Sequence, residues 1–300
     1  MTAERDHRRR AEAKVHILPD HVANQIAAGE VVERPESVVK ELVENALDAG
    51  ATRVRIEVED GGQRLIRVLD DGSGMSPGDA LTALLRHATS KVRTAADLQA
   101  IGTLGFRGEA LPSIRSVSRF SIRTRPAAAS EGVRIIAHGA DEPRLEPCGG
   151  PPGTEILVEE LFFNVPARRK FLKQAATELA RIRAFVERIA LGWPEVHFTL
   201  VSQGKTLLDY PADGDLQARI LGVFGREVCR RLHRVDLVMG DHRVHGYSSE
   251  PTFTKPNASW LYTYINGRFI RDKVVQHAVA AAYGEALERG QYPAAVLFLF

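Results

Sequence analysis

A chain of 300 residues is long for one average domain and comfortable for two, and its 44% hydrophobic and 26% charged composition, free of repeats, excludes a fibrous or wholly disordered protein. No stretch reaches the roughly 18 consecutive apolar residues that a membrane helix needs, and no apolar signal segment follows the basic N-terminus. The net charge of +2 is uninformative alone, while Cys148 and Cys229, two thiols without metal-ligand spacing, fit a reduced, cytosolic compartment.

Met1 to Lys14 is charged and aperiodic, the pattern of a disordered tail over 1–14. Val22 to Gly29 reads as a short helix ended by Gly29. From Glu36 to Ala49, Val39, Leu42, Val43, Ala46 and Leu47 recur at helical spacing, with Pro35 in the first turn and Gly50 as C-terminal cap. Val54, Ile56 and Val58 alternate with charged residues as in a half-buried strand, Gly61-Gly62 turns the chain, and Leu65 to Leu69 returns as a second strand. Further strands are expected at Phe120–Ile122, Val133–Ile136, Glu155–Val158 and Val196–Val201, and a long helix at Ala175–Leu191. Met75 to Ile101 is polar and loop-like. The order implies a mainly antiparallel sheet with helices on one face. Tyr-Pro-Ala-Asp-Gly-Asp, ending at Asp215, marks a boundary. Beyond it, Leu261–Ile265 reads as a strand, Asn266-Gly267 as a tight turn, Asp272 as the cap of a helix to about Leu287, and Ala294–Phe300 as an apolar strand. This strand–helix–strand unit stops inside its last strand, so the second domain is expected to be truncated.

Three segments carry chemistry. Glu41, Asn45 and Asp48 fall at i, i+4 and i+7, on one face of the first long helix. The neutral carboxamide oxygen of Asn45 suits magnesium, and Glu41 is placed to orient or deprotonate an attacking water; the same stripe can also be a solvated helix face. Asp70-Asp71-Gly72-Ser73-Gly74 directly follows a strand. Asp70 can accept hydrogen bonds from an exocyclic amine, and Gly72 and Gly74 let backbone approach a flat ring, although Asp and Gly also favour plain turns. Gly102, Gly105 and Gly108, at intervals of three, precede a helix-like segment, an arrangement that cradles phosphates or forms a flexible loop. It ends in no Gly-Lys-Ser/Thr and is not a Walker A motif. The intervening Met75–Ile101 segment is placed to act as a lid. Within it Lys91 either reaches a phosphate or is solvated, and His87 receives no chemical role. Basic clusters at Arg168-Arg169-Lys170 with Lys173, at Arg181, Arg183 and Arg188, and at Arg268, Arg271 and Lys273 suit polyanions. Arg168 to Lys170 can equally pack beside Pro166.

In this order the three motifs resemble the GHKL ATPases, and the stretches ANQIAAGEVVERPESVVKELVENALDAGA, RHATSK, GTLGFRGEAL, LFFNVPARRKFL and YINGRFIRD resemble the MutL-type mismatch-repair proteins across most of the chain from Val15. The resemblance implies an α+β fold: a two-layer α/β sandwich of GHKL ATPase type over 15–212, then a transducer domain over 213–300, α/β and like domain 2 of ribosomal protein S5. It assigns Glu41 as general base, Asn45 as magnesium ligand and Asp70 as the adenine-reading carboxylate, supported by Thr154, with Gly74 beside the base. Gly105, Phe106, Arg107 and Gly108 fall to the phosphates, and Arg268 to DNA. It further implies a slow, magnesium-dependent ATPase acting as a nucleotide-gated dimerising clamp, with DNA, a second copy, a mismatch-recognition protein and downstream repair factors as partners. The family's phosphate-contacting lysine, in an NVHPxK stretch, lies beyond Phe300, so a fragment with these bounds is expected to bind nucleotide with impaired hydrolysis.

Overall fold

The computed structural model describes residues 19, 26, 28–92, 94, 102–105, 107–139, 141–288 and 290–300. The expected tail over 1–14 and most of the Val22–Gly29 helix lie outside them. Residues 28–31 are helical, so Gly29 sits within a helix instead of ending one. The reason is steric: a Cβ on Gly29 would lie 1.6 Å from the Arg168 guanidinium, so the missing side chain makes room for that arginine.

The first long helix, α1 (Pro35–Asp48), begins with proline at its first turn and buries Val38, Val39, Leu42, Val43, Ala46 and Leu47. Gly50, at φ +73°, turns the chain into β1 (Arg53–Glu59), whose Val54, Ile56 and Val58 point into the core while Arg53 and Arg55 face water. Burying each of these side chains contributes about 1.5–3 kcal/mol, which sets the register of the strand. Next come β2 (Leu65–Asp70), α2 (Pro77–Thr82), α3 (Ala110–Ser116), β3 (Arg119–Arg125), β4 (Gly132–His138), β5 (Arg144–Cys148), β6 (Gly153–Glu159), α4 (Pro166–Phe171), α5 (Ala175–Gly192), β7 (His197–Ser202) and β8 (Lys205–Tyr210). The strands form one sheet in the order β5-β4-β3-β6-β2-β1-β7-β8, antiparallel except for the β1–β7 pair. The mainly antiparallel sheet expected from sequence is present, with α1 and α5 packed together over its buried face.

The chain then enters α6 (Leu216–Cys229), β9 (Leu232–Met239), β10 (His242–Ser249), β11 (Thr254–Lys255), β12 (Leu261–Ile265), β13 (Arg268–Ile270), α7 (Lys273–Ala281), β14 (Tyr292–Pro293) and β15 (Ala295–Leu299). A second sheet runs β13-β12-β15-β10-β9, and β11 and β14 form a small ribbon. β12 and β15 pair in parallel around α7, as a strand–helix–strand unit requires. Asp272 caps α7 as expected, its carboxylate accepting from the amides of Val274 and Val275. The helix ends at Ala281, however, before Leu287, with Gly284 at φ +55° in the following turn.

Several elements escape the periodicity reading. α2 is nucleated inside the supposed loop by Ser76, whose hydroxyl accepts from Asp79 N–H, with Pro77 in the first turn. β5 and β9 are almost wholly exposed and carry no clean two-residue alternation. In α6 a glycine at φ +81°, Gly225, interrupts the helical pattern.

The two sheets meet around α5 and α6. Arg219 of α6 is 2% exposed, and its guanidinium donates to main-chain carbonyls of Ala190 (2.8 Å), Pro194 (3.0 Å), Val196 (2.8 Å) and Pro211 (2.8 Å). It thereby ties the end of α5 to the loops that flank β7 and β8. Arg219→Ala strands these buried acceptors and is expected to destabilise the chain by on the order of 3 kcal/mol, read as a lowered urea midpoint.

Candidate functional site

The site is assembled at the C-terminal end of α1. The end of β2 lies beside it, because Ser73 N–H donates to the Ala49 carbonyl at 2.9 Å. Gly72 is required there: a Cβ would lie 2.9 Å from both the Ala49 carbonyl oxygen and its Cβ. Gly74 takes φ +67° and passes so close to Arg125 that a Cβ would meet its carbonyl oxygen at 2.2 Å. Asp71 closes the same corner, accepting from Thr52 N–H (2.7 Å), the Thr52 hydroxyl (2.6 Å) and Arg53 N–H (2.8 Å).

Asp70 stands at the end of β2 opposite Thr154 of β6, and its Oδ1 accepts from Gly72 N–H at 2.9 Å. Burial pushes its carboxyl up from 3.8 to about 6, against the opposing pull of the Gly72 and Thr154 amides. The Thr154 hydroxyl lies 3.0 Å from that of Thr124, which also accepts Met75 N–H at 2.9 Å, so both strands and the acidic turn share one network. A cavity of about 40 Å³ lined by Asp70, Thr124, Gly153 and Thr154 borders the carboxylate.

On the other side of the α1 terminus, Asp48 and Asn45 face the glycine loop. The Asp48 side chain is only 6% exposed. Its Oδ1 accepts Leu104 N–H at 2.8 Å, and its Oδ2 accepts Gly105 N–H at 3.1 Å and the Lys91 ammonium at 2.6 Å. The same ammonium donates to Asn45 Oδ1 at 2.8 Å. Glu41, one turn earlier on α1, is 25% exposed and pairs with Lys40 at 3.1 Å. Gly108, at φ +63°, packs on Ala88, and its carbonyl accepts His87 N–H at 3.1 Å, joining the loop to the preceding segment.

A family model described as histidine kinase-, DNA gyrase B-, and HSP90-like ATPase matches residues 32–138, and one for the C-terminal domain of DNA mismatch repair proteins matches residues 220–300. The ATPase domain of MutL from Aquifex aeolicus, solved in complex with ADP, is 32% identical at a TM-score of 0.68, covering 90% of this chain and 92% of that one. The chain belongs to the MutL family of DNA mismatch-repair proteins. MutL of Geobacter sulfurreducens is 54% identical over 286 residues, covering 95% of this chain and 47% of that protein, and MutL of Syntrophotalea carbinolica is 52% identical over 287 residues, covering 95% and 46%. The chain thus spans about half the length of these MutL relatives. A solved N-terminal domain of a DNA repair protein shares the fold at a TM-score of 0.80 and 25% identity, covering 94% of this chain and 88% of that one.

Of the residues singled out on the MutL pattern, the structure brings together Asn45, Lys91 and Gly105 on one side of α1 and Asp70, Gly72, Gly74 and Thr154 on the other, with Glu41 a turn away. Arg107 is exposed, and Phe106 lies outside the described residues. Arg268 sits on the second sheet and donates to the Thr103 carbonyl in the glycine loop. Arg168 packs against Gly29 and donates to the Ile26 carbonyl, whereas Arg169 and Lys170 remain exposed. Sequence reasoning gave no role to Asp48, although its place at i+7 from Glu41 already put it on the site's face. It also passed over Thr124 and Asp71, whose partners lie far away in sequence.

Asp70 gives a pH signature without any ligand. The folded chain holds its proton up to about pH 6, and the unfolded chain releases it near 3.8, so ionisation costs stability as pH rises through that window. Asp70→Asn, which cannot ionise, is expected to gain on the wild type between about pH 4 and pH 6 and to keep a constant margin above. Thermal melts across this range check it; a margin that stays flat means that Asp70 titrates normally.

Proposed function

We propose that the chain binds magnesium–ATP at the α1 terminus and hydrolyses it slowly, as the nucleotide-gated part of a mismatch-repair clamp. The observation that carries this reading is the single helix end that holds a half-buried carboxylate, Asp70, on one side and a clasped glycine loop on the other. Asp70 accepts the adenine exocyclic amine, with Thr154 and Thr124 fixing its strand and Gly72 and Gly74 leaving room for the ring. The glycine loop from Gly105 to Gly108, with Lys91, takes the phosphates; the Gly105 amide and the Lys91 ammonium, both held by Asp48, turn to them on binding. The ADP held by the Aquifex aeolicus relative supports an adenine nucleotide as ligand.

The oxygens of Asn45 and Asp48 already share one cationic group, the Lys91 ammonium, so this donor set fits a hard cation. Such an ion would be carried mainly by phosphates, with Asn45 as protein ligand. When bound there, magnesium supplies neutralisation of phosphate charge. Glu41 orients the attacking water and accepts its proton, and the helix holds it one turn from Asn45.

The reading divides the chain into an ATPase unit over 15–212 and a transducer unit over 213–300. ATP closes the lid and brings two copies together; the closed dimer engages DNA through Arg268 and neighbouring basic residues and signals to mismatch-recognition and downstream repair proteins in the cytoplasm.

In a chain extended to the length of its MutL relatives, Glu41→Ala is expected to lower phosphate release by roughly a hundredfold or more while calorimetry shows nucleotide affinity within a few-fold of wild type. Asp70→Asn is expected to abolish nucleotide uptake. Unchanged uptake in that variant defeats the proposed pocket. DNA binding is expected to be independent of base sequence and to weaken steeply with salt, and Arg268→Ala to flatten the log–log salt slope by about one unit. Sequence-dependent binding that ignores ionic strength contradicts it.

A further inference from the structure

The glycine loop is held from two directions, and one of them is the second sheet. Arg268 opens β13, directly after the Asn266-Gly267 turn, and its guanidinium donates to the Thr103 carbonyl. The other end of that same peptide group, the N–H of Leu104, donates to Asp48 Oδ1 at 2.8 Å. The described chain contains no cis peptide, so this carbonyl and this N–H lie in one plane and point in opposite directions. A cation from the second sheet and an anion on α1 therefore grip one peptide unit between them. Hydrogen bonds with a charged partner are the strong ones, and each polarises the peptide in the sense that strengthens the other. The chain of contacts continues through Asp48 to Lys91 and on to Asn45.

Arg268 is not a free surface arm. The β12–β13 hairpin that carries it is fastened to α5: the Tyr264 hydroxyl donates to the Arg188 carbonyl at 2.6 Å, and the Arg188 guanidinium lies 4.8 Å from the centre of the Phe269 ring. Within the hairpin, the Thr263 hydroxyl donates to the Ile270 carbonyl at 3.0 Å. Gly192, under the Tyr264 ring, allows this close approach, since a Cβ would lie 2.8 Å from that ring.

We propose that Arg268 is a positioning residue for the nucleotide pocket: through the Thr103–Leu104 peptide the second sheet holds the glycine loop against Asp48, so that loop closure depends on how the two sheets sit together. This deepens the proposed nucleotide site and rests on that reading for its functional meaning. It is separate from a DNA contact, because a guanidinium has five donors and the Thr103 carbonyl takes one.

The test is hydrogen–deuterium exchange on nucleotide-free, DNA-free protein, followed over residues 102–105. Arg268→Ala is expected to speed exchange of the Leu104 and Gly105 amides roughly tenfold while the amides of β1 and β2 keep their wild-type protection. Arg268→Lys, which keeps the charge and N–H donors on a differently shaped head, is expected to fall between the two, and Arg243→Ala, elsewhere on the second sheet, to leave the loop unchanged. Should the alanine variant lose core protection, the lysine variant decides: faster loop exchange with an intact core supports the latch. Wild-type loop exchange in every folded Arg268 variant overturns it. A parallel ADP–magnesium titration separates the two claims. Wild-type protein that takes up no nucleotide defeats the pocket reading and leaves the latch to the exchange result. Where the wild type does bind, an affinity unchanged in Arg268→Ala despite a loosened loop defeats the positioning role.

Discussion

The last turn of α1 is the constraint on which the site depends. Asn45, Asp48 and Ala49 lie within little more than one helical turn, and they hold the lysine, the glycine loop and the acidic turn respectively. A helix terminus does this well because side chains and main-chain carbonyls are both available there, and because the carbonyls are no longer spent inside the helix. The fold supplies the rest by burying the opposite face of α1 under α5 and the first sheet, so the terminus cannot rotate without opening the core.

The charges on the two sides of that terminus are managed differently. Asp48 is nearly buried and satisfied by two amides and an ammonium, so its charge is fully compensated within the protein. Asp70 is half-buried, yet its partners are main-chain amides without a cation, and its carboxyl is pushed up to about 6. Asp71, next in sequence, is held below the usual range: some burial raises it, but the Thr52 hydroxyl and the Arg53 and Thr52 amides outweigh that effect. Two adjacent carboxylates thus differ in their readiness to lose a proton, and the more reluctant one borders the cavity lined by Thr124, Gly153 and Thr154.

Much of the fold was legible in the sequence because α1, β1, β2, α5 and β12 bury one face and expose the other, and burial of alternate residues leaves a period that can be read. Among the elements that escaped, β5, β9 and α6 are those where exposure or a glycine erases the period, and α2 is a six-residue helix set by its Ser76 cap. The site divides in the same way. Glu41, Asn45 and Asp70 could be named because local spacing and glycine neighbours expose their chemistry. The Asp48 contacts to Leu104 and Gly105 span 56 and 57 positions, and the contact of Arg268 to Thr103 spans 165, so no local pattern records them.

The carbonyl nest around Arg219 carries a consequence for how this molecule can change over time. Its acceptors belong to the main chain at Ala190, Pro194, Val196 and Pro211, so the identity of those side chains is immaterial to the contact. A single codon therefore bears nearly all of the mutational burden of that junction, while its neighbours are free to drift wherever backbone geometry is kept. An ion pair in the same place would have tied two positions to each other and required them to change together.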